Sequence, residues 1–182
     1  MACIGKLSSD LLFDCFDLGV MGGIGEIDEA IVINSSDISN FSDAGDLSGT
    51  LVMVTGKKGF VVNSINNSIM YQDAIKVNDT TPPGEDQSIV IKMLANNAAD
   101  AKVYRLALVN LLRGNYRVAF KTKTGNYYLA GAFCGLEASD LATDSSTGGI
   151  STVTLKTPEA ATGDILVTLT KANYDGLKIP KV

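Results

Sequence analysis

Apolar and polar positions begin to alternate near residue 50 and continue to do so along most of the chain. Residues 50–55 (TLVMVT) and 60–65 (FVVNSI) flank the glycine-bounded turn 56–59, a pattern that predicts a hairpin. The same reading predicts further strands at residues 30–34, 69–77, 88–94, 116–123, 126–135, 150–157 and 165–171. The segments between these strands are rich in residues typical of turns, above all glycine and aspartate.

One segment, residues 98–113, has the period of a helix. Asp100 is a candidate N-cap, and Gly114 stands where a C-terminal cap belongs. The residues on its apolar face are Ala101, Tyr104, Leu108, Leu111 and Leu112. We expect this face to pack on the sheet.

The first part of the chain, residues 1–49, lacks a sustained period. Its glycines at 19, 22, 23 and 25 are typical of a flexible turn or arm, and residues 35–49 have the composition of a loop. Short apolar pieces in this region would be costly to leave in water. We therefore expect residues 17–50 to reach a neighbouring subunit rather than cover their own core.

Together these patterns predict a mainly β (α+β) fold. It is an antiparallel β-barrel or β-sandwich with one flanking helix at about 98–113 and an extended N-terminal arm or loop. The chain divides into residues 1–49, an arm or loop region with a short strand, and residues 50–182, a β-rich domain with one helix.

The amino-acid composition argues against several classes of function. The chain has 182 residues, of which 46% are apolar and 19% charged, so it can bury a core. Its formal net charge of -5 provides no basic footprint for nucleic acid. There is no histidine, which removes the commonest general base and every nucleophile that depends on one. There is no tryptophan either, which weakens a carbohydrate-stacking interpretation.

No segment of the sequence predicts a membrane span or a cleaved signal. No stretch approaches the roughly 20 apolar residues that cross a bilayer. Three aspartates, Asp10, Asp14 and Asp17, interrupt the apolar run near the N-terminus. Four Asn-x-Ser/Thr triplets begin at Asn34, Asn40, Asn66 and Asn78, and without a secretion signal they are not expected to carry glycans.

Three further patterns lack a feature that their chemistry requires. The turn TGKKGF has Lys58 where a phosphate loop needs Ser or Thr, and a strand follows it. The glycines of GVMGGIGEID do not have dinucleotide-binding spacing. The spacing of Asp37, Asp43 and Asp46 is not that of an EF-hand and favours a solvated loop. We therefore predict no catalytic, cofactor-binding or metal-binding residues, no cofactor and no enzymatic activity.

Cys134, in the stretch GNYYLAGAFCGLEAS, is either a candidate nucleophile or a packed core residue. A reactive thiolate requires a neighbouring base, cation or helix N-terminus, and its sequence neighbours Phe133 and Gly135 are none of these. Alternation places Tyr128, Ala130, Ala132 and Cys134 on one face, opposite Tyr127, Leu129, Gly131 and Phe133. Both faces are apolar, so we predict a packed strand with Cys134 in the core. Cys3 and Cys15 are expected to be reduced thiols as well.

The segment 116–170 carries a resemblance to a known class of protein. It has a strand reading GNYYLAG, a glycine bend, a Ser/Thr/Gly loop and a closing pair of strands. This segment resembles tail components of phages that infect Bacteroides-like hosts, including the crAss-like group. The nearest type is the tail-tube family and the ring proteins of tailed-phage necks and tails. The resemblance implies a β-barrel or β-sandwich flanked by a helix.

What the resemblance implies for function is a structural virion protein, assembled in the host cytoplasm. It would form a homo-oligomeric ring or tube that lines or supports the DNA channel and contacts other virion structural proteins. DNA would pass nearby without specific binding, and no membrane is involved. The alternative is a β-sandwich module for ligand binding or host adhesion at a tail tip, which would use exposed Tyr71, Tyr127 or Tyr174.

Overall fold

A computed structural model describes residues 25–64, 68–76, 84–93, 98–144, 150–158 and 164–178. Within these ranges the chain is mainly β, with eleven strands in one sheet and two helices. The elements are β1 (Ile27–Asn34), β2 (Ile38–Asp43), β3 (Ser48–Met53), β4 (Phe60–Asn63), β5 (Ile69–Lys76), β6 (Gly84–Met93), α1 (Ala98–Leu111), β7 (Asn115–Thr122), β8 (Tyr127–Ala130), β9 (Leu136–Asp144), β10 (Ile150–Lys156), β11 (Val167–Leu169) and α2 (Lys171–Gly176).

The sheet is organised around β7. On one side β7 pairs antiparallel with β1 along its whole length, and β1 pairs in turn with β4. On the other side β7 pairs with β8 and, beyond it, with β9. The hydrogen-bonded order is β2-β3-β11-β8-β7-β9-β10-β6-β5, and only the short β11–β3 pair is parallel.

The β1–β7 ladder is buried on both faces, which explains its sequence. Four consecutive residues of β1 (AIVI, 30–33) are buried, as are three of β7 (VAF, 118–120). The register places Ala30 opposite Phe120 and Ile31 opposite Ala119. Since successive side chains point to opposite faces, a continuous apolar run supplies both. Each face of the ladder therefore contributes to a different core.

The two cores lie on either side of this ladder. The first includes apolar side chains of β5, β6 and β10 with α1: Ile69, Ile89, Ile91, Leu108, Val153 and Leu155. The second includes residues of β3 and β11 with Tyr174 of α2 and the Leu177 that follows it: Leu51, Val167, Leu169, Tyr174 and Leu177. The described chain is thus layered, with the β1–β7 ladder in the middle.

The predicted mainly β fold is confirmed, but the described strands do not close into a barrel. Among the described strands, β2, β4 and β5 each pair along one edge only. The sheet is therefore open, and its layers are consistent with a sandwich-type arrangement. The structure also has a second helix, α2, where the sequence predicted only one. Residues 171–176 form this helix, so the predicted strand 165–171 ends before residue 171. Thr170 caps α2 by accepting a hydrogen bond from the Asn173 N–H (3.2 Å).

The prediction that residues 17–50 reach a neighbouring subunit rather than cover their own core is wrong for residues 27–50. Ile27, Ala30 and Ile31 are buried in the chain's own cores, and β3 runs across residue 49. The loop expected at 35–49 instead contains a 3-10 turn, Ser35–Asp37, and the β2–β3 hairpin. Residues 1–24 lie outside the described part of the chain.

The predicted strand 126–135 is broken by two glycines. Only β8 (Tyr127–Ala130) is extended, and residues 131–135 form a turn before β9. Gly131 and Gly135 have φ of 70° and 72°, a region that favours glycine. A side chain on Gly135 would also collide with Asn115. The alternation therefore holds for β8 but not beyond it.

Replacing Val118 with Ala tests whether the central ladder is the core. Val118 is 0% exposed, so Val118→Ala should lower the free energy of unfolding by about 2–3 kcal/mol. Val52→Ala makes the same chemical change at a side chain that is 46% exposed and should cost less than about 1 kcal/mol. Urea unfolding followed by circular dichroism measures both losses, and equal losses would contradict the buried ladder.

Candidate interaction surface

The α1 helix contacts the sheet along a narrow side only. Leu108 is buried and Leu111 half-buried in the first core, as predicted, but Ala101 and Leu112 are exposed. The side chain of Tyr104, also assigned to the packing face, lies outside the described part. The expected face was therefore too wide, because α1 touches the sheet with about one side chain per turn near its C-terminal end.

The ends of α1 also differ from prediction. The helix begins at Ala98, so Asp100 lies within its first turn rather than at the N-cap. Gly114 does not have a positive φ, the left-handed conformation of a glycine cap. Instead, a side chain there would collide with the ring of Tyr116, whose hydroxyl donates to the Asn110 carbonyl oxygen at 2.8 Å. Gly114 makes room for the residue that fastens the helix end to β7.

Much of the remaining α1 surface is apolar and faces solvent. The exposed fractions are 62% for Val103, 63% for Leu106, 50% for Val109 and 59% for Leu112. Val103, Leu106 and Val109 are three residues apart and therefore neighbours on the helix surface, although Lys102, Arg105 and Asn110 are exposed as well. Adjacent exposed apolar side chains of this kind mark an interaction site in a folded protein.

An open apolar groove runs between α1 and the sheet, with a volume of about 440 Å³. We call it the α1 groove. Its walls come from β1, β4, β6 and β10 on the sheet side and from α1 on the other. They include Val32, Phe60, Met93, Ala107, Leu111 and Val153. Phe60 lines this groove while 57% of its side chain is exposed, so the groove is not filled by the described residues around it.

The GKKG turn serves the fold. Lys58 donates to the Gly176 carbonyl oxygen (2.5 Å), and the Gly59 N–H donates to the Leu177 carbonyl oxygen (2.9 Å). A side chain on Gly59 would collide with Ile31 in the second core. The turn thus ties the start of β4 to the end of α2, and its lysine is directed at a backbone oxygen of the chain itself.

Cys134 lies in the 131–135 turn and is half-buried, so its assignment to the core of a strand is wrong. Burial, followed by the nearby Asp164 carboxylate, raises the pKa of its thiol above the ordinary value. A raised thiol pKa disfavours the nucleophilic thiolate at neutral pH. The expectation of an unactivated thiol therefore agrees with its surroundings.

Asp164 is the polar group that fixes this turn. Its carboxylate is 2% exposed and accepts hydrogen bonds from the N–H groups of Phe133 (3.1 Å) and Cys134 (2.8 Å). It also accepts from the Ile165 N–H at 2.8 Å. A buried carboxylate satisfied by several backbone donors is stable as a structural anchor. Since these donors already occupy its oxygens, its local role is to hold the turn.

Arg117 forms the other half of this polar region. Its guanidinium carbon lies 5.6 Å from the centre of the Phe41 ring, in cation–π geometry. Burial lowers the pKa of Arg117, and the Asp164 charge opposes that shift. Phe41 in turn meets Phe133 edge to face at 5.4 Å. These contacts join β2, β7 and the 131–135 turn on the side of the second core.

The three tyrosines proposed for adhesion are not exposed. Tyr71 is half-buried and its ring lies 5.2 Å from that of Phe120. The ring of Tyr127 is tilted against that of Tyr174, with 5.0 Å between their centres. Tyr174 is fully buried and donates its hydroxyl hydrogen to Glu29 Oε1 at 3.0 Å. These rings belong to the cores. The sequence period could not separate them from the solvent-exposed aromatics Phe60 and Phe133.

No protein-family model, curated protein or solved structure matches this chain. Within the described ranges, neither helix combines the length and the apolar character needed to cross a bilayer. The same residues contain no cluster of three or more Cys, Asp or Glu side chains suited to a metal ion. The candidate interaction surface is the α1 groove together with the exposed apolar side chains of α1.

A pair of leucine variants tests how α1 is packed. Leu108 is 8% exposed, so Leu108→Ala should lower the free energy of unfolding by about 2–5 kcal/mol. Leu112→Ala makes the same change at a side chain that is 59% exposed and should cost less than about 0.5 kcal/mol in the monomer. Urea unfolding at low protein concentration gives both values. A large loss for Leu112→Ala would mean that the chain itself covers this side of α1.

Proposed function

We propose that this chain is a non-enzymatic structural protein of a bacteriophage virion, assembled in the host cytoplasm. In this proposal it oligomerises into a ring or tube in a phage tail or neck and supports or lines the channel through which DNA passes. Its partners are further copies of itself and neighbouring virion proteins. The resemblance of residues 116–170 to phage tail components motivates this assignment.

The observation that carries the oligomer is the uncovered apolar surface of α1 and its groove. Three apolar side chains of α1, and Leu112 just past its end, are at least 50% exposed, and Phe60 in the groove is 57% exposed. Burial of such side chains is worth about 25 cal/mol per Å² of apolar surface removed from water. Association is the ordinary way for a soluble chain to gain this free energy.

The open sheet supports the same proposal. Strands β2, β4 and β5 each have one edge with no partner strand among the described residues. Edge strands present free backbone N–H and C=O groups, which pair readily with another chain. Closure of copies into a ring satisfies such edges across subunit boundaries. Exposed edges and an exposed apolar helix in one protomer are compatible with assembly through more than one contact.

A second candidate function is that of a ligand-binding module, and the α1 groove is the one feature that favours it. Its volume of about 440 Å³ falls within the range of small-molecule pockets, and its walls are mostly apolar. A ligand would be an apolar molecule held beside Asn34, Asn110 and Tyr116, which supply the polar groups of the lining. This candidate does not account for the exposed Leu106, Val109 and Leu112 outside the groove.

Light scattering coupled to size-exclusion chromatography tests the proposal on the purified full chain. We expect the measured mass to rise with protein concentration to a multiple of 19.1 kDa, because association buries the α1 surface. Negative-stain microscopy of the same fractions should then show rings or short tubes. A monomer at every concentration up to the millimolar range would contradict the proposed function.

A further inference from the structure

The turn between β2 and β3 presents a leucine to solvent on a strained backbone. Leu47 has a φ of 63°, which a bulky side chain rarely adopts, and it is 56% exposed. Its carbonyl oxygen accepts hydrogen bonds from the N–H (2.7 Å) and the hydroxyl (2.9 Å) of Thr168. The chain therefore holds this apolar side chain outward. Backbone strain of this kind is concentrated at functional sites.

Two exposed aspartates lie in or next to the same turn as Leu47: Asp43 and Asp46. We call Leu47 together with these two aspartates the hairpin surface. Hydrogen bonds from Ser48 hold the pKa of Asp46 below its ordinary value.

Exposed positive charges lie on α1, the helix that forms one wall of the groove, and just past its end. Residues three and four apart are neighbours on a helix surface, so Lys102, Leu106, Asn110 and Arg113 form a ridge along α1 and just past its end. Asn110 lines the groove, and Lys102 and Arg113 are both exposed. The groove is thus an apolar concavity beside positive charge, whereas the hairpin surface is an apolar projection beside negative charge.

The two surfaces cannot meet within one protomer. The groove is lined by Val32 and Val153 of the first core, whereas the hairpin packs through Leu51 on the second core. The β1–β7 ladder lies between these cores. A contact between the two surfaces must therefore join different copies.

We propose that the hairpin surface of one copy docks into the α1 groove of the next copy. Leu47 enters between Phe60 and α1, with Asp43 and Asp46 beside Arg113 and Lys102. The inference rests on the proposed function, because it identifies the contact through which copies assemble. Since the two patches are different, the contact is head-to-tail, which generates a ring where the rotation closes and a filament where it does not.

Charge reversal tests this contact on the full chain. Arg113→Glu and Asp46→Lys each place like charges across the interface, and each should weaken self-association by at least about tenfold. An equal mixture of the two variants should regain assembly, because the new carboxylate at position 113 of one variant then meets the new ammonium group at position 46 of the other. The other contact in that mixture joins the native Arg113 of the Asp46→Lys variant to the native Asp46 of the Arg113→Glu variant. Light scattering at matched concentrations measures all of these states.

Lys123→Glu serves as the matched control for charge. Lys123 is exposed in the turn after β7, far along that strand from Tyr116 in the groove, and its reversal should leave assembly unchanged. If the wild-type chain assembles and neither reversal weakens it, this contact is wrong while the proposed function stands. If the wild-type chain is monomeric at all concentrations, both are overturned.

Leu47→Gly separates the contact from stability. Glycine adopts a positive φ without strain, so the urea midpoint of this variant should equal or exceed that of the wild type. Its self-association should nevertheless weaken by at least about tenfold, because the inserted side chain is gone. An unchanged association constant in a folded Leu47→Gly variant would overturn the role assigned to Leu47.

Discussion

Burial of the β1–β7 ladder on both faces is the constraint on which the rest of the structure depends. Seven residues of two paired strands are each covered, and alternate side chains supply two separate cores. An ordinary antiparallel pair at a surface needs apolar residues on one face only. Here the remaining strands must cover both sides. This need explains why the sheet branches at β7 and why helices lie on each side.

The same constraint explains where the interaction surfaces arise. One half of the branched sheet covers the first core together with α1. The side chains of α1 do not fill the α1 groove, which lies between this helix and strands β1 and β4. The other half covers the second core and ends in the β2–β3 hairpin, the outer side of which has no further layer among the described residues. The groove and the projecting hairpin are thus the two incomplete ends of one layered arrangement.

The sequence predicted those strands and helices whose own residues show a clear apolar period. Strands β7 and β10 alternate or run apolar because they are central, and their predicted bounds agree with the structure to within one residue, whereas β6 begins at Gly84, four residues before the predicted start. Strand β2 (ISNFSD) was read as a loop because an edge strand buries few side chains. The break at Gly131 depends on Asp164, a residue distant in sequence, whose carboxylate fixes the turn. The groove could not be predicted, since its walls come from strands and a helix brought together only by the topology.

Disulfide trapping tests whether the hairpin surface of one copy docks into the α1 groove of the next. Cysteines are placed at Leu47 and Phe60 in a chain whose own Cys3, Cys15 and Cys134 are replaced by serine. Docking predicts a ladder of disulfide-linked dimers, trimers and larger species under mild oxidation, because residue 47 of one copy meets residue 60 of the next. A control with cysteines at Lys123 and Phe60 should give no ladder. Monomers alone from the Leu47 and Phe60 pair, at concentrations where the chain assembles, would contradict the account.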